Sequence, residues 1–181
     1  MKPALELTSV PAWATVATRP AADTSGTSWT IIAFGAAGAD VARQWAAEIA
    51  SRRGAAGTRV HEVPIEGGDR RADAALQKDL EGARVGWRLM LAGPAASCLR
   101  LRAAAMAAGI ADDELTVAST DVVTRTVLCV HCGAVTVADV DLEDILACSG
   151  CHRNLVVYYH VSRRKGAHLG FMSDAEHQVV S

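Results

Sequence analysis

The chain has 181 residues, with 18 Lys and Arg against 20 Asp and Glu, and a formal net charge of −2. That balance excludes a generally cationic, nucleic-acid-binding surface. Half of the residues are apolar, yet no unbroken apolar run reaches the roughly 20 residues that a bilayer crossing needs. The length suits one medium domain, or a medium domain followed by a small one.

Residues 1–28 hold Pro3, Pro11 and Pro20 among Ala, Thr and Ser, with no sustained periodicity. They predict an N-terminal arm anchored by Trp13, with a short strand near Leu5–Leu7. Only Lys2 and Arg19 are positive and no apolar signal core follows. The expectation is a cytoplasmic chain with reduced cysteines.

Residues 29–123 read as an α/β domain. Trp29 to Phe34 is rich in β-branched and aromatic residues and predicts a strand. Gly35-Ala36-Ala37-Gly38 follows, and then Val41, Trp45 and Ile49 recur at helical spacing to about Arg53. Val60 to Pro64 predicts a second strand, Ala72–Leu80 a helix, and Val85 to Ala92 a third strand. Gly93-Pro94 stops it, Ala95 to Ala108 favours a helix, and Glu114–Ala118 gives a last strand. The alternation argues for a small open parallel sheet with flanking helices, joined by right-handed crossovers.

Residues 124–181 change character. Four of the five cysteines stand as Cys129-Val130-His131-Cys132 and Cys148-Ser149-Gly150-Cys151. Two C-x2-C turns can bring four thiolates to one tetrahedral point, the pattern of a zinc-ribbon β domain. Zinc is the expected ion at Cys129, Cys132, Cys148 and Cys151, with iron in the same tetrahedron as the alternative. The C-x4-C-x2-C spacing of plant-type ferredoxins is absent. Strands are expected over Val127–Val130, Ala134–Ala138 and Leu155–Val161, with an acidic loop over Asp139–Asp144. His131 and His152 are not needed as ligands once four thiols are present.

Two further features are candidate sites. Gly35, Gly38 and Gly93 lie at strand ends, where backbone N–H groups can meet a phosphate of a nucleotide or flavin. Neither the complete G-x-G-x-x-G pattern nor a P-loop lysine is present, and tight turns alone also explain these glycines. Arg163, Arg164 and Lys165 follow a buried-looking strand, and with His168 they form a candidate partner-facing or cofactor-facing surface. The basic patch is short for nucleic acid. His61 and Glu62 are neighbours in a predicted strand and should face opposite ways, so they do not suggest a dyad. Cys98 reads as a small core residue.

The two cysteine turns, the strand Leu155–Val161, the basic Arg163-Arg164 and the tail His168-Leu169-Gly170-Phe171-Met172-Ser173-Asp174-Ala175-Glu176 together resemble the C-terminal domain of the small subunit family of bacterial dimethylamine monooxygenase. The resemblance implies an accessory, zinc-binding subunit of a complex that oxidatively demethylates dimethylamine to methylamine and formaldehyde. Oxygen and reduced nicotinamide would be consumed. It places haem, flavin, iron–sulfur and NAD(P)H on partner subunits, an oxygenase and a reductase, with no membrane attachment. The first domain loosely resembles a nicotinamide-binding reductase module, with Ala92 replacing the cysteine of its cysteine-glycine-proline turn. Two other readings stay open: an electron-transfer component that binds iron or flavin, and an independent zinc-ribbon binding protein.

Overall fold

The computed structural model describes residues 3–173. Two sheets follow one another along the chain. The first is formed by β1 (Ser28–Phe34), β2 (Thr58–Val63), β3 (Trp87–Pro94) and β4 (Leu115–Asp121), all parallel, in the order β2-β1-β3-β4. The intervening helices are α1 (Gly35–Arg53), α2 (Asp69–Leu80) and α3 (Ala95–Ala107).

The side-chain alternation of β1 sets the layers. Trp29, Ile31 and Ala33 pack with Val41, Trp45 and Ile49 of α1 on one face. Ile32 and Phe34 pack with Leu76 of α2 and Leu101 of α3 on the other. A strand buried on both faces carries few polar residues, which explains the continuous apolar run. The strand order explains the helix placement. The chain moves one way from β1 to β2 and the other way from β2 to β3 and β4, so crossovers of one hand put α1 opposite α2 and α3. Each fully buried large side chain contributes roughly 1.5–3 kcal/mol, and Trp29, Trp45, Phe34 and Leu101 are all in that class.

The N-terminal arm is more tightly fixed than its composition suggests. Leu5–Leu7 forms a short 3₁₀ turn, not a strand: the Leu7 and Thr8 N–H groups donate back to the Ala4 and Leu5 carbonyls instead of to a sheet neighbour. Ala12–Ala14 forms another. Beyond them the indole N–H of Trp45 donates to the Pro20 carbonyl, and that of Trp29 to the Asp23 carbonyl. The arm thereby lies along the α1 face.

The second sheet contains β5 (Thr124–Cys129), β6 (Val135–Asp139), β7 (Ile145–Ala147), β8 (Asn154–Ser162) and β9 (Ala167–Met172), in the order β6-β5-β9-β8-β7. All neighbours are antiparallel except β5 and β9, which run parallel. Its inner face presents Val127, Leu155, Val157 and Val161. Val161 packs with Val10 and Ala14 of the arm and with Ala95 and Leu99 of α3, so the arm is wedged between the two sheets. The β8–β9 turn rests on α3: a Cβ on Gly166 would meet the Leu99 carbonyl oxygen at 2.4 Å. Asp174-Ala175-Glu176, part of the family-like tail, lies outside the described residues. No described helix is long and apolar enough to cross a membrane.

Candidate metal centre

Cys129 ends β5 and Cys132 closes the turn that leads into β6; Cys148 and Cys151 bracket the turn between β7 and β8. Each turn is closed in the same way. The Gly133 N–H donates to the Cys129 carbonyl and the His152 N–H to the Cys148 carbonyl. The residue after each second cysteine takes the left-handed backbone, with φ of 76° at Gly133 and 58° at His152. Such a bend folds both sulfurs of a turn to one side.

The sheet register carries the two turns to each other. All four Sγ atoms lie within 4.8 Å of one another. Cys129 and Cys151 are 3.8 Å apart at sulfur, and Cys132 and Cys148 are 3.6 Å apart. A disulfide needs about 2.05 Å. A tetrahedral ion bound at about 2.3 Å sets its sulfurs roughly 3.8 Å apart, and the observed separations fit that edge. The four thiols therefore fit zinc as a donor set. Cys129 and Cys148 are buried, Cys151 is half-buried and Cys132 is exposed.

Backbone donors make the site receptive to positive charge. The N–H groups of Cys151 and Gly150 point at the Cys148 sulfur and lower its pKa to about 6. At Cys132 the Ala134 N–H also favours the thiolate, but desolvation and the neighbouring thiols outweigh it and raise the pKa to about 11. Of these two thiols Cys148 gives up its proton more readily, and a bound cation would favour the thiolate form of all four.

Several supporting residues carry no conspicuous sequence signal. The Ser149 N–H donates to Thr136 Oγ1, the Thr136 hydroxyl donates to Ser149 Oγ, and the Ser149 hydroxyl reaches the Val135 carbonyl. The second turn is thus tied to β6. Gly150 has no room for a side chain, because a Cβ would lie 2.6 Å from the Ala134 Cβ and 3.3 Å from the Cys132 sulfur. Beneath the sulfurs the apolar cluster is small, with Leu155 fully buried and Ala134 and Leu146 partly so. Four cross-links to one ion would supply the cohesion that so small a core lacks.

The basic turn divides. Arg163, Arg164 and Lys165 are exposed, and among the described residues they have no ion-pair partner. His168 does not join them on the surface. It is only 1% exposed, since β9 turns it inward opposite Val127 and beneath α3, where it shares a crevice with Arg125, Ala95 and Leu99. Burial, and then the Arg125 charge, lower its pKa to about 4, so at neutral pH it is an uncharged imidazole.

The three strand-end glycines are packed by their own chain. Ile65 covers Gly35, the Ala92 carbonyl lies where a Cβ on Gly38 would stand, and Phe34 crowds Gly93. His61 finds a partner other than its neighbour Glu62. Its Nε2 lies 2.8 Å from the buried carboxylate of Asp79, which also accepts from Thr30 and Arg59.

Residues 126–171, which contain all four cysteines, match the family described as dimethylamine monooxygenase subunit DmmA-like, C-terminal domain. The heme-dependent oxidative N-demethylase delta subunit of Ectopseudomonas mendocina (strain ymp) is 42% identical over 101 residues, which make up 56% of this chain and 57% of that relative. The match thus spans little more than half of either protein. No solved structure matches.

Proposed function

We propose that this chain is an accessory subunit of a multisubunit, cytoplasmic amine monooxygenase, and that zinc at Cys129, Cys132, Cys148 and Cys151 holds its second domain in docking shape. The observation that carries this reading is the coincidence of a complete four-thiol cluster with the stretch similar to the demethylase subunit family. Four protein ligands fill a tetrahedral zinc and leave no position for substrate or water, which is the pattern of a structural ion. The chemistry then belongs to other chains. In the demethylation of dimethylamine, oxygen and reduced nicotinamide are consumed; methylamine, formaldehyde, water and oxidised nicotinamide are formed. In this reading haem sits on an oxygenase chain, and flavin, iron–sulfur and NAD(P)H belong to a reductase chain. Gly35, Gly38 and Gly93 serve packing, and the α/β domain is a scaffold.

Co-expression with the products of the adjacent genes, followed by purification of the assembly and elemental analysis, tests the reading. The expected result is a stable heteromeric complex with one zinc for each copy of this chain, and loss of both zinc and assembly in Cys148→Ser. A chain with a visible iron–thiolate absorption, or one that never enters the complex, would overturn it.

A further inference from the structure

The outer face of the second sheet carries apolar side chains on all five strands, with Thr124, Thr126, Asp139 and His160 at its polar margin. Val135 of β6 pairs with Leu128 of β5, which pairs with Leu169 of β9. One step further along, Phe171 of β9 pairs with Val156 of β8, which pairs with Ile145 of β7. The rows join along β9, since Leu169 and Phe171 are two residues apart and share a face. Tyr158 extends the surface, with its ring 5.7 Å from that of Phe171. These side chains are unusually open for their size: Val137 is 63% exposed, Ile145 61%, Val135 50% and Tyr158 47%. Antiparallel strands with one solvated face normally put mostly polar residues there, and exposed apolar side chains gathered from all five strands mark an interaction surface.

The surroundings state what would fit. Along the β6 edge, Val135 and Val137 run into a groove of about 600 Å3 between the two domains, also lined by Ile65, Asp69, Pro94, Arg100, Asp121 and Lys165. Lys165 belongs to the exposed turn with Arg163 and Arg164, three adjacent cations without ion-pair partners among the described residues. Arg100, by contrast, is already paired with Asp69 and Asp73. Asp121 also lines the groove and accepts from the Val123 N–H, and Asp139, at the far end of β6, is engaged by the Thr124 hydroxyl. The cations without ion-pair partners beside the apolar face are those of the β8–β9 turn. Size matters too. At ordinary strand spacing and rise, five strands about five residues long present roughly 350 Å2 in projection. A stable interface hides about 800 Å2 on each partner. The sheet face alone is too small, so its occupant must also cover the groove and the basic turn.

We propose that a different subunit of the assembly docks here, through an apolar patch that meets Val137, Ile145, Tyr158 and Phe171 and an edge of Asp or Glu side chains that meets Arg163, Arg164 and Lys165. This rests on the accessory-subunit reading and adds the surface and the chemistry of its partner. A second copy of this chain fits less well, since a two-fold pairing of this face brings the same three unpaired cations from each copy.

The experiment uses full-length chain titrated onto the purified complex of the adjacent-gene products. Two variants are compared with the unmodified protein: Val137→Lys with Ile145→Lys, at positions exposed enough to leave the fold intact, and Arg163→Glu with Arg164→Glu. Zinc content and circular dichroism monitor the fold. Each pair is expected to weaken binding about tenfold or more, with zinc retained, and the steep weakening of the unmodified chain's interaction with added salt should be lost in Arg163→Glu with Arg164→Glu. Unchanged affinity in both variants, while the unmodified chain binds, would overturn the docking face and leave the accessory role standing. A chain that dimerises by itself through this face, and loses the dimer in Val137→Lys with Ile145→Lys, would overturn the proposal in favour of self-association. No binding of the unmodified chain to the complex would overturn the accessory role itself.

Discussion

His152 stands after Cys151 in the left-handed backbone conformation that Gly133 adopts after Cys132. Glycine takes that conformation freely, whereas a residue with a Cβ is penalised by about 1–2 kcal/mol. His152→Gly is therefore expected to raise the unfolding free energy by up to roughly 1 kcal/mol, after allowance for the freedom glycine gives the unfolded chain. Gly133→Val should lower it by about 1–2 kcal/mol. Urea unfolding of zinc-loaded protein checks both, and opposite signs are the decisive outcome.

Gly150 and Ala134 press the two cysteine turns together, so a larger residue at 150 should spread the sulfurs. Gly150→Val is expected to weaken zinc binding on the order of tenfold to a hundredfold, read by competition with a chelator. Because the Cβ would strike the Ala134 methyl first, Gly150→Ala combined with Ala134→Gly should recover much of what Gly150→Ala alone loses. Strict additivity of the two changes would contradict the contact.

How much of this was readable beforehand depends on how far apart the partners lie in the chain. Alternating strand and helix signals from Trp29 to Ala118 resolve the α/β domain, and C-x2-C spacing marks the four thiols that cluster, because both are local patterns. The parallel pairing of Thr124–Cys129 with Ala167–Met172 joins segments separated by three strands, and no local signal encodes it. Beside Lys165 in sequence, His168 reads as part of a basic surface, but the pairing turns it under α3. The arm's packing is equally non-local: Trp13 anchors it as its composition suggests, and Val10 and Ala14 form a wedge against Leu99 and Val161.

His168 should make stability depend on pH. The unfolded chain takes up this proton near pH 6.5, but the folded chain only near pH 4. Between those values the unfolded state binds more protons, so stability falls as pH falls from about 6.5 to 4, by up to roughly 3 kcal/mol. Above pH 6.5 the imidazole is neutral in both states and costs nothing. His168→Gln should flatten the thermal-midpoint profile in that window, and an unaltered slope would show that other groups dominate it.

Asp79 locks α2 onto the sheet. Burial opposes its charge, but hydrogen bonds from His61 and Thr30 and the charges of His61 and Arg59 outweigh that and hold its pKa below the usual 3.8. The contribution is fully present above about pH 4 and is lost as pH falls through the lowered value. Asp79→Ala leaves the buried Thr30 hydroxyl proton without its acceptor and should destabilise the protein by about 2–3 kcal/mol at neutral pH. The gap between variant and parent should narrow below pH 4, as followed by acid titration of the fluorescence of Trp87, whose indole donates to Thr30.

The parallel junction of β5 with β9 also sets an order of events during synthesis. All four sulfurs leave the ribosome with residue 151, while the strand that fills the middle of the sheet, Ala167–Met172, emerges only afterwards. An ion captured by the nascent turns would pin β5 and β8 on either side of an empty lane. The final strand then slots between two prealigned neighbours instead of searching for them, and a product cut short before Ala167 would keep its thiols yet leave that lane unfilled.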